Sequence, residues 1–166
     1  MEVQKEVQKN VISILVNNKP DVLARISGTF SGRGFNIESI SANVTRDPAK
    51  TKIIITTIGD NATLARILKQ IARLVDIIEV VDLTGREAVR REMFLARLNW
   101  SKEGNRKKVE ALVENKNWKI LSADDHTCII EMTGENGALL EEVMMLEKLG
   151  LEDFTRTGVV AVENGL

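Results

Sequence analysis

Short runs of apolar, β-branched residues alternate along the chain with segments in which apolar residues recur every three to four positions. The run over residues 11–16 is nearly all apolar, which predicts a strand covered on at least one face. The turn-forming residues 17–21 follow it, and a helix is predicted next that ends near Gly34, a residue suited to the left-handed conformation. The apolar residues of this helix share one stripe: Val22, Leu23, Ile26 and Phe30.

Residues 35–44 predict the second strand, whose apolar residues change face halfway along. Phe35 and Ile37 fall on one side of this strand, and three later residues fall on the other side: Ile40, Ala42 and Val44. We therefore expect a β-bulge near residues 38–39, which would keep both sets buried.

A third strand over residues 51–58 and a fourth over residues 77–83 flank a second helix. The order of elements in the first half is therefore βαββαβ, the ferredoxin-like arrangement. The apolar residues of the second helix recur at helical spacing: Leu64, Ile67, Leu68, Ile71, Leu74 and Val75.

The same order begins again after a short linker at residues 84–87. The predicted elements are a strand over 93–100, a helix over 102–115, a hairpin over 118–123 and 127–132, a helix capped by Asn136, and closing strand segments over 151–154 and 159–162. The chain is thus predicted to be α+β, with two tandem ferredoxin-like βαββαβ domains. Their bounds are residues 10–84 and residues 85–166, after an N-terminal extension over residues 1–9.

Each predicted domain has about 75 residues, and a domain that small leaves much of its surface unburied. Two helices cover one face of each sheet, whereas the other face and the sheet edges need a partner. Pairing between domains, or between copies of the chain, would supply that partner, and the sequence predicts an oligomer, with a homodimer first.

Composition narrows the class of protein. Hydrophobic residues make up 43% of the 166 positions and charged residues 28%, values typical of a globular protein in water. The net charge of -1 gives no general attraction to nucleic acid or to an anionic membrane. No apolar run approaches the roughly 20 residues that span a bilayer, and a single cysteine fits a reducing compartment. We therefore expect a soluble, cytoplasmic protein.

The residues of common catalytic and metal sites are scarce. His126 and Cys128 are the single histidine and cysteine, two positions apart on the predicted hairpin, so one chain cannot supply the usual ligands of a zinc site. We interpret them as a surface histidine and a small core residue. Gly28, Gly32 and Gly34 lie within or after a helix, so they do not match a phosphate-binding loop. The predicted third strand lacks the aromatic residues on which RNA-binding modules of this fold stack bases.

The turn after the first strand is the clearest candidate binding site. It precedes a helix N-terminus, where free backbone N–H groups and the helix dipole favour an anion such as an α-carboxylate. Asn18 and Asn36 each offer donors and an acceptor, and nearby apolar residues would line a slot for an aliphatic side chain: Val22, Leu23 and Ile37. On these residues alone a second interpretation stays open, in which Asn18 caps a turn and Asn36 only follows a glycine cap.

The sequence around these residues resembles a known family. The resemblance is carried by residues 13–20, 22–26, 30–40, 55–60, 70–76, 90–93 and 156–161, and its most specific element is Arg33-Gly34-Phe35-Asn36-Ile37-Glu38-Ser39-Ile40. In this register nearly the whole chain is similar to the regulatory, or small, subunit of acetohydroxyacid synthase (acetolactate synthase). The first domain resembles the ACT domain of that family.

The resemblance implies a function. The subunit would have no catalytic residues, metal site or cofactor of its own, and it would bind and activate a separate catalytic subunit that carries thiamine diphosphate, Mg²⁺ and FAD. Valine or a related branched-chain amino acid would exert feedback inhibition by binding between the ACT domains of a homodimer. Carried onto this chain, the effector-binding residues would be Asn18, Asp21, Val22, Leu23, Asn36 and Ile37.

Asp21 departs from the family, which usually has glycine at this position. Aspartate tolerates a left-handed backbone better than most residues and can cap a helix, yet its carboxylate would repel the effector's carboxylate if it pointed inward. Replacing Asp21 with glycine would then tighten effector binding. The strongest alternative function is a free-standing ACT-type amino-acid sensor that acts on another target, and a small enzyme on this scaffold comes third.

Overall fold

The computed structural model describes residues 7–102, 104–135 and 138–165. Asn136, predicted to cap a helix, lies outside these residues, as do the first six positions of the predicted N-terminal extension. The chain forms two compact units. One contains the described residues up to Val89 together with those from Val159 onward, and the other runs from Arg90 to Gly158.

The first unit is an antiparallel sheet with two helices on one face. Its elements are β1 (Val7–Asn17), α1 (Val22–Ser31), β2 (Ile37–Val44), β3 (Lys50–Asp60), α2 (Asn61–Ile71) and β4 (Ile77–Asp82). The strand order β2-β3-β1-β4 confirms the ferredoxin-like arrangement. β1 begins at Val7, inside the predicted 1–9 extension, because its first residues pair with the end of β3 near Asp60.

The core of the first unit combines alternate side chains of the central strands with one stripe of each helix. Its buried members are Ile12, Ile14, Val16, Val22, Ile26, Phe30, Phe35, Ile53, Ile55, Leu64, Ile67 and Ile71. Helix α2 ends at Ile71, and Leu74 beyond it still packs against the core, whereas the prediction that Val75 belongs to the stripe is wrong. Val75 follows the last helical turn and is 86% exposed.

β2 contains the predicted bulge. Ile37 lies opposite Thr57 of β3, whereas Ser39 lies opposite Thr56, so one residue is inserted between the two pairs. After the bulge, Ile40 and Ala42 lie opposite core residues of β3 and therefore face the helix side of the sheet. The prediction that this second set is buried is wrong, since Ile40, Ala42 and Val44 are all exposed. β2 is an edge strand, and the helices pack over the central strands instead.

The second unit repeats the arrangement. Its elements are β5 (Ala88–Asn99), α3 (Asn105–Lys116), β6 (Lys119–Ala123), β7 (Thr127–Gly134), α4 (Ala138–Glu147) and β8 (Leu151–Arg156). The strand order β6-β7-β5-β8 gives the same antiparallel topology as in the first unit. The hairpin turn predicted around Asp124 joins β6 to β7, with Asp124 N donating to Thr127 O at 2.9 Å.

The helices of the second unit differ from the prediction in detail. α3 begins at Asn105, three residues later than expected, because Gly104 before it adopts a left-handed conformation with φ 78°. α4 buries three residues at helical spacing: Leu139, Val143 and Leu146. Leu140 and Met144, two further apolar residues of this helix, are 44% and 65% exposed. Each lies one position after a buried residue, which rotates it by about 100° around the helix.

The last strand, β9 (Val160–Glu163), belongs to the first unit. Apolar residues near it cover the sheet face opposite to α1 and α2, and they form a small buried cluster: Val11, Ile54, Leu83, Val159 and Ala161. Arg86 and Glu163 add an ion pair at 2.7 Å. The observed unit therefore differs from the predicted 85–166 domain, because the apolar tail is buried against the first sheet. Among the described residues, no helix combines the length and apolar character needed to cross a bilayer.

Candidate functional site

The turn between β1 and α1 lines a cavity of about 530 Å³. Its walls are Val16, Asn17, Asn18, Lys19, Pro20, Val22, Leu23, Ala42, Val44, Thr51 and Ile53. Val16, Val22 and Ile53 also belong to the core beneath the helices, so the cavity opens on the helix side of the sheet. This volume lies within the range of small-molecule sites, about 300–1,000 Å³.

Asn18 connects the β1–α1 turn to the segment between β2 and β3. Its backbone N–H donates to Ala49 O at 2.8 Å, and its side-chain Nδ2 donates to Pro48 O at 3.1 Å. Asn18 thus has a structural role, although its side chain binds the distant residue Pro48 and does not cap its own turn as the second interpretation of the sequence had it. The same residue lines the cavity, so the structural role does not exclude contact with a ligand.

Asp21 takes no part in the cavity wall. It occupies the N-cap position of α1 with φ -94° and ψ -7°, an ordinary conformation that does not require glycine. Its side chain makes no capping hydrogen bond, and the carboxylate instead lies 3.2 Å from Arg25 Nε. Asp21 therefore does not cap the first turn of α1, in which the Val22 N–H donates to Lys19 O at 3.4 Å and the N–H groups of Leu23 and Ala24 are available to an anion.

The two predicted elements of the site are separate within one chain. Asn18, Val22 and Leu23 line the cavity together, whereas Asn36 and Ile37 do not. Asn36 is exposed, and its backbone oxygen accepts a hydrogen bond from Thr57 Oγ1 at 2.6 Å. Ile37 packs against the helix-side core. That Asn36 and Ile37 of one copy lie near the β1–α1 turn of a second copy stays a prediction.

Sequence reasoning missed the part of the cavity that β2 and β3 supply. Ala42 and Val44 come from the edge strand, and Thr51 lies directly opposite Val44 on β3. The sequence signal for this part of the cavity was the change of face within residues 35–44. It turns the later apolar residues of β2 to the helix side of the sheet, at a strand that no helix covers. Lys19 was also missed as a cavity residue.

A buried carboxylate contacts the β1–α1 turn. Asp76, between α2 and β4, is 5% exposed. Its Oδ1 lies 2.9 Å from Lys19 Nζ, and its Oδ2 accepts a hydrogen bond from Arg25. These hydrogen bonds, from Lys19 first and Arg25 second, hold the pKa of the Asp76 carboxyl below its usual range. The carboxylate is therefore ionised at neutral pH.

The histidine and the cysteine occupy the positions expected of them. Cys128 is 1% exposed, and burial raises the pKa of its thiol to about 11, so it is an unreactive core residue as predicted. His126 is exposed, with Nδ1 3.2 Å from Ser101 Oγ. Within the described ranges, no three carboxylate, histidine or cysteine side chains come together in a way that could hold a metal ion.

Family models match both halves of the sequence. The model of an ACT domain like that of the acetohydroxyacid synthase (AHAS) small subunit matches residues 12–79. The model of the small subunit of acetolactate synthase matches residues 91–165. The acetolactate synthase small subunit of Aquifex aeolicus is 32% identical over 162 residues, 97% of this chain and 84% of that protein. The chain belongs to the acetolactate synthase small-subunit family. The probable small subunit of Methanothermobacter thermautotrophicus is 30% identical over 98% of this chain and 97% of its own length.

A solved structure supports the same assignment for the fold. The crystal structure of the acetolactate synthase small subunit from Thermotoga maritima superimposes with a TM-score of 0.85 at 30% identity, covering 96% of this chain and 99% of that one. The predicted family and the predicted pair of ferredoxin-like units, the first an ACT domain, are confirmed. This small subunit carries a regulatory domain rather than a catalytic one, so its role is regulatory.

Proposed function

We propose that this small subunit binds a separate catalytic subunit of acetolactate synthase and raises its activity. Valine or another branched-chain amino acid then binds the small subunit and lowers that activity. The observation that carries the proposal is the cavity at the β1–α1 turn, which joins apolar walls to a helix N-terminus. The names of the relatives, all small subunits of acetolactate synthase, supply the class of partner.

The walls of the cavity suit an aliphatic amino acid. Val22, Leu23 and Val44 offer an apolar surface for a branched side chain. The uncapped first turn of α1 offers N–H groups to the α-carboxylate. Asn18 Oδ1 accepts no hydrogen bond from any described residue, so it is free to accept one from the α-ammonium group.

We propose further that the effector lies between the ACT domains of a homodimer. β2 is an edge strand that presents exposed apolar residues, Ile40 and Val44 among them. A second copy at this edge would cover them and would bring its own Asn36 and Ile37 towards the effector. The mass of the full chain in solution tests whether the homodimer forms. A monomer at micromolar concentration would contradict it.

The catalytic subunit performs the chemistry. This chain binds no cofactor, and thiamine diphosphate, Mg²⁺ and FAD are carried by the catalytic subunit. The effector controls that subunit by favouring one arrangement of the regulatory dimer over another. A coupling free energy of about 1–3 kcal/mol between the two sites is sufficient for typical control.

The decisive experiment measures acetolactate synthase activity of the cognate catalytic subunit with and without this chain, across a valine titration. Stimulation that valine reverses is the expected result. If valine has no effect, the titration is repeated with leucine and isoleucine, and no response to any of the three would refute the effector assignment. No stimulation by this chain would refute the proposed activation of the catalytic subunit and favour a free-standing amino-acid sensor.

A further inference from the structure

Asp76 contacts three successive parts of the segment that runs from β1 through the turn into α1. Its backbone oxygen accepts a hydrogen bond at 2.8 Å from the N–H of Asn17, the last residue of β1. Its carboxylate binds Lys19 in the turn and Arg25 one helical turn into α1. One residue outside the segment therefore fixes its start, its middle and its end.

The segment that Asp76 fixes is the one that lines the cavity. Six of the cavity residues belong to it: Asn17, Asn18, Lys19, Pro20, Val22 and Leu23. Asp76 itself does not line the cavity. The turn is also held by the bonds from Lys19 N to Asn17 O at 2.9 Å and from Val22 N to Lys19 O at 3.4 Å, and by the two bonds that Asn18 makes to Pro48 and Ala49.

We propose that Asp76 is a positioning residue for the effector site, which orders the β1–α1 turn through its ion pairs with Lys19 and Arg25. This inference rests on the proposed function, because it concerns the same cavity. A turn ordered before the ligand arrives loses less conformational entropy on binding, and this preorganisation increases affinity. Asp76 acts without touching the effector.

The chemistry of the cluster requires the charge of Asp76. The carboxylate is almost fully shielded from water, with 7% of its side chain exposed, and it binds two cations. Charge-assisted hydrogen bonds are roughly twice as strong as neutral ones. An amide at position 76 would keep the shape but would leave the Lys19 ammonium without its acceptor charge. Arg25 would retain only Asp21, whose side chain is 66% exposed.

The test compares the wild-type chain with Asp76→Asn in two measurements. The first is the effector Kd by calorimetry with valine, leucine and isoleucine. The second is hydrogen exchange at the Asn17, Asn18 and Lys19 amides without any effector. We expect Asp76→Asn to raise the Kd and to speed the exchange by about 2- to 30-fold each, the range typical of residues that act at a distance from a ligand.

Three further variants make the result specific. Asp76→Glu keeps the charge, so its Kd and its exchange rates should lie between those of Asp76→Asn and those of the wild type. Arg25→Gln removes the ion pairs with Asp76 and Asp21 at a residue outside the cavity, so it tests the cluster even if Asp76→Asn fails to fold. Asp124→Asn is the matched control, since this carboxylate lies in the second unit and is bound by the Thr127 and His126 amides. Asp124→Asn should leave both readouts as in the wild type.

The outcomes separate this inference from the proposed function. If the wild type binds none of the three amino acids, the effector assignment fails, and the exchange rates alone decide whether Asp76 orders the turn. If the wild type binds an effector and both Asp76→Asn and Arg25→Gln match it in Kd and in exchange, the inference is overturned.

Discussion

The carboxylate of Asp21 lies 3.2 Å from Nε of Arg25, one turn further along α1. The family usually has glycine at position 21, and this ion pair shows where the Asp21 carboxylate points. The expected repulsion of the effector's carboxylate required Asp21 to point into the cavity, whereas its side chain is bound on the helix and does not line the cavity. The backbone of Asp21 is also unstrained.

We therefore expect Asp21→Asn to leave effector affinity nearly unchanged. Removal of an exposed ion pair of this kind lowers the free energy of unfolding by less than about 1 kcal/mol. Calorimetry with the effector gives the Kd, and urea unfolding gives the stability. A Kd that falls tenfold or more in Asp21→Asn, or in Asp21→Gly as expected from the sequence alone, would mean that the carboxylate faces the ligand in the complex.

Asn36 provides a test of the separation between effector sensing and partner binding. Its side chain is exposed in the single chain and is expected to reach the effector of a second copy. Asn36→Ala should remove most of the inhibition by valine, because the amide is then lost from the effector site. The assay is catalytic-subunit activity across a valine titration. If stimulation of the partner disappears together with inhibition, the two functions are not separable at this residue.

The sequence was sufficient for the features that depend on local pattern. The order of elements followed from hydrophobic periodicity, and the change of face within 35–44 located the bulge before Ser39. The helix N-terminus after the first strand correctly led to Asn18, Val22 and Leu23 as neighbours in one cavity. Each of these inferences uses residues close together in the chain, where spacing fixes geometry.

Features that depend on packing between residues far apart in the sequence could not be predicted in the same way. Burial of Val44 could not be judged, because periodicity does not say which strand lies at the edge and which strands the helices cover. The same limit applies to Val159, whose burial depends on a sheet formed by residues far earlier in the chain. Asp76 was overlooked as a functional residue for a related reason, since nothing local joins it to Lys19.

The contribution of the tail to the first unit can be measured with a pair of valines. Val159 is 1% exposed and packs in the small cluster on the sheet face opposite to the helices, whereas Val162, three positions later, is 68% exposed. Val159→Ala should lower the free energy of unfolding by about 2 kcal/mol, through lost burial and the cavity that remains. Val162→Ala should stay within about 0.5 kcal/mol of the wild type. Equal effects in denaturant unfolding would contradict the packing of the tail.

Acid stability tests the buried charge of Asp76 independently of any ligand. The pKa of this carboxyl is held below its usual range in the folded chain, mainly by the hydrogen bond from Lys19 and next by that from Arg25. A group whose pKa is lower in the folded state contributes stability above its unfolded pKa, near 3.8, and loses it as the pH falls through the lower folded value. Stability gained from Asp76 is therefore complete at neutral pH and vanishes in strong acid.

Asp76→Asn should accordingly be less stable than the wild type at about pH 7, and the difference should shrink steadily below about pH 4. Other carboxyls with lowered pKa values, such as Asp47 and Asp124, titrate in both proteins and cancel in this comparison. The charged neighbours Lys19, Arg25 and Asp21 are likewise common to both. Urea unfolding midpoints across this pH range give the result. A difference that stays constant with pH would mean that the shape of Asp76, and not its charge, holds the turn.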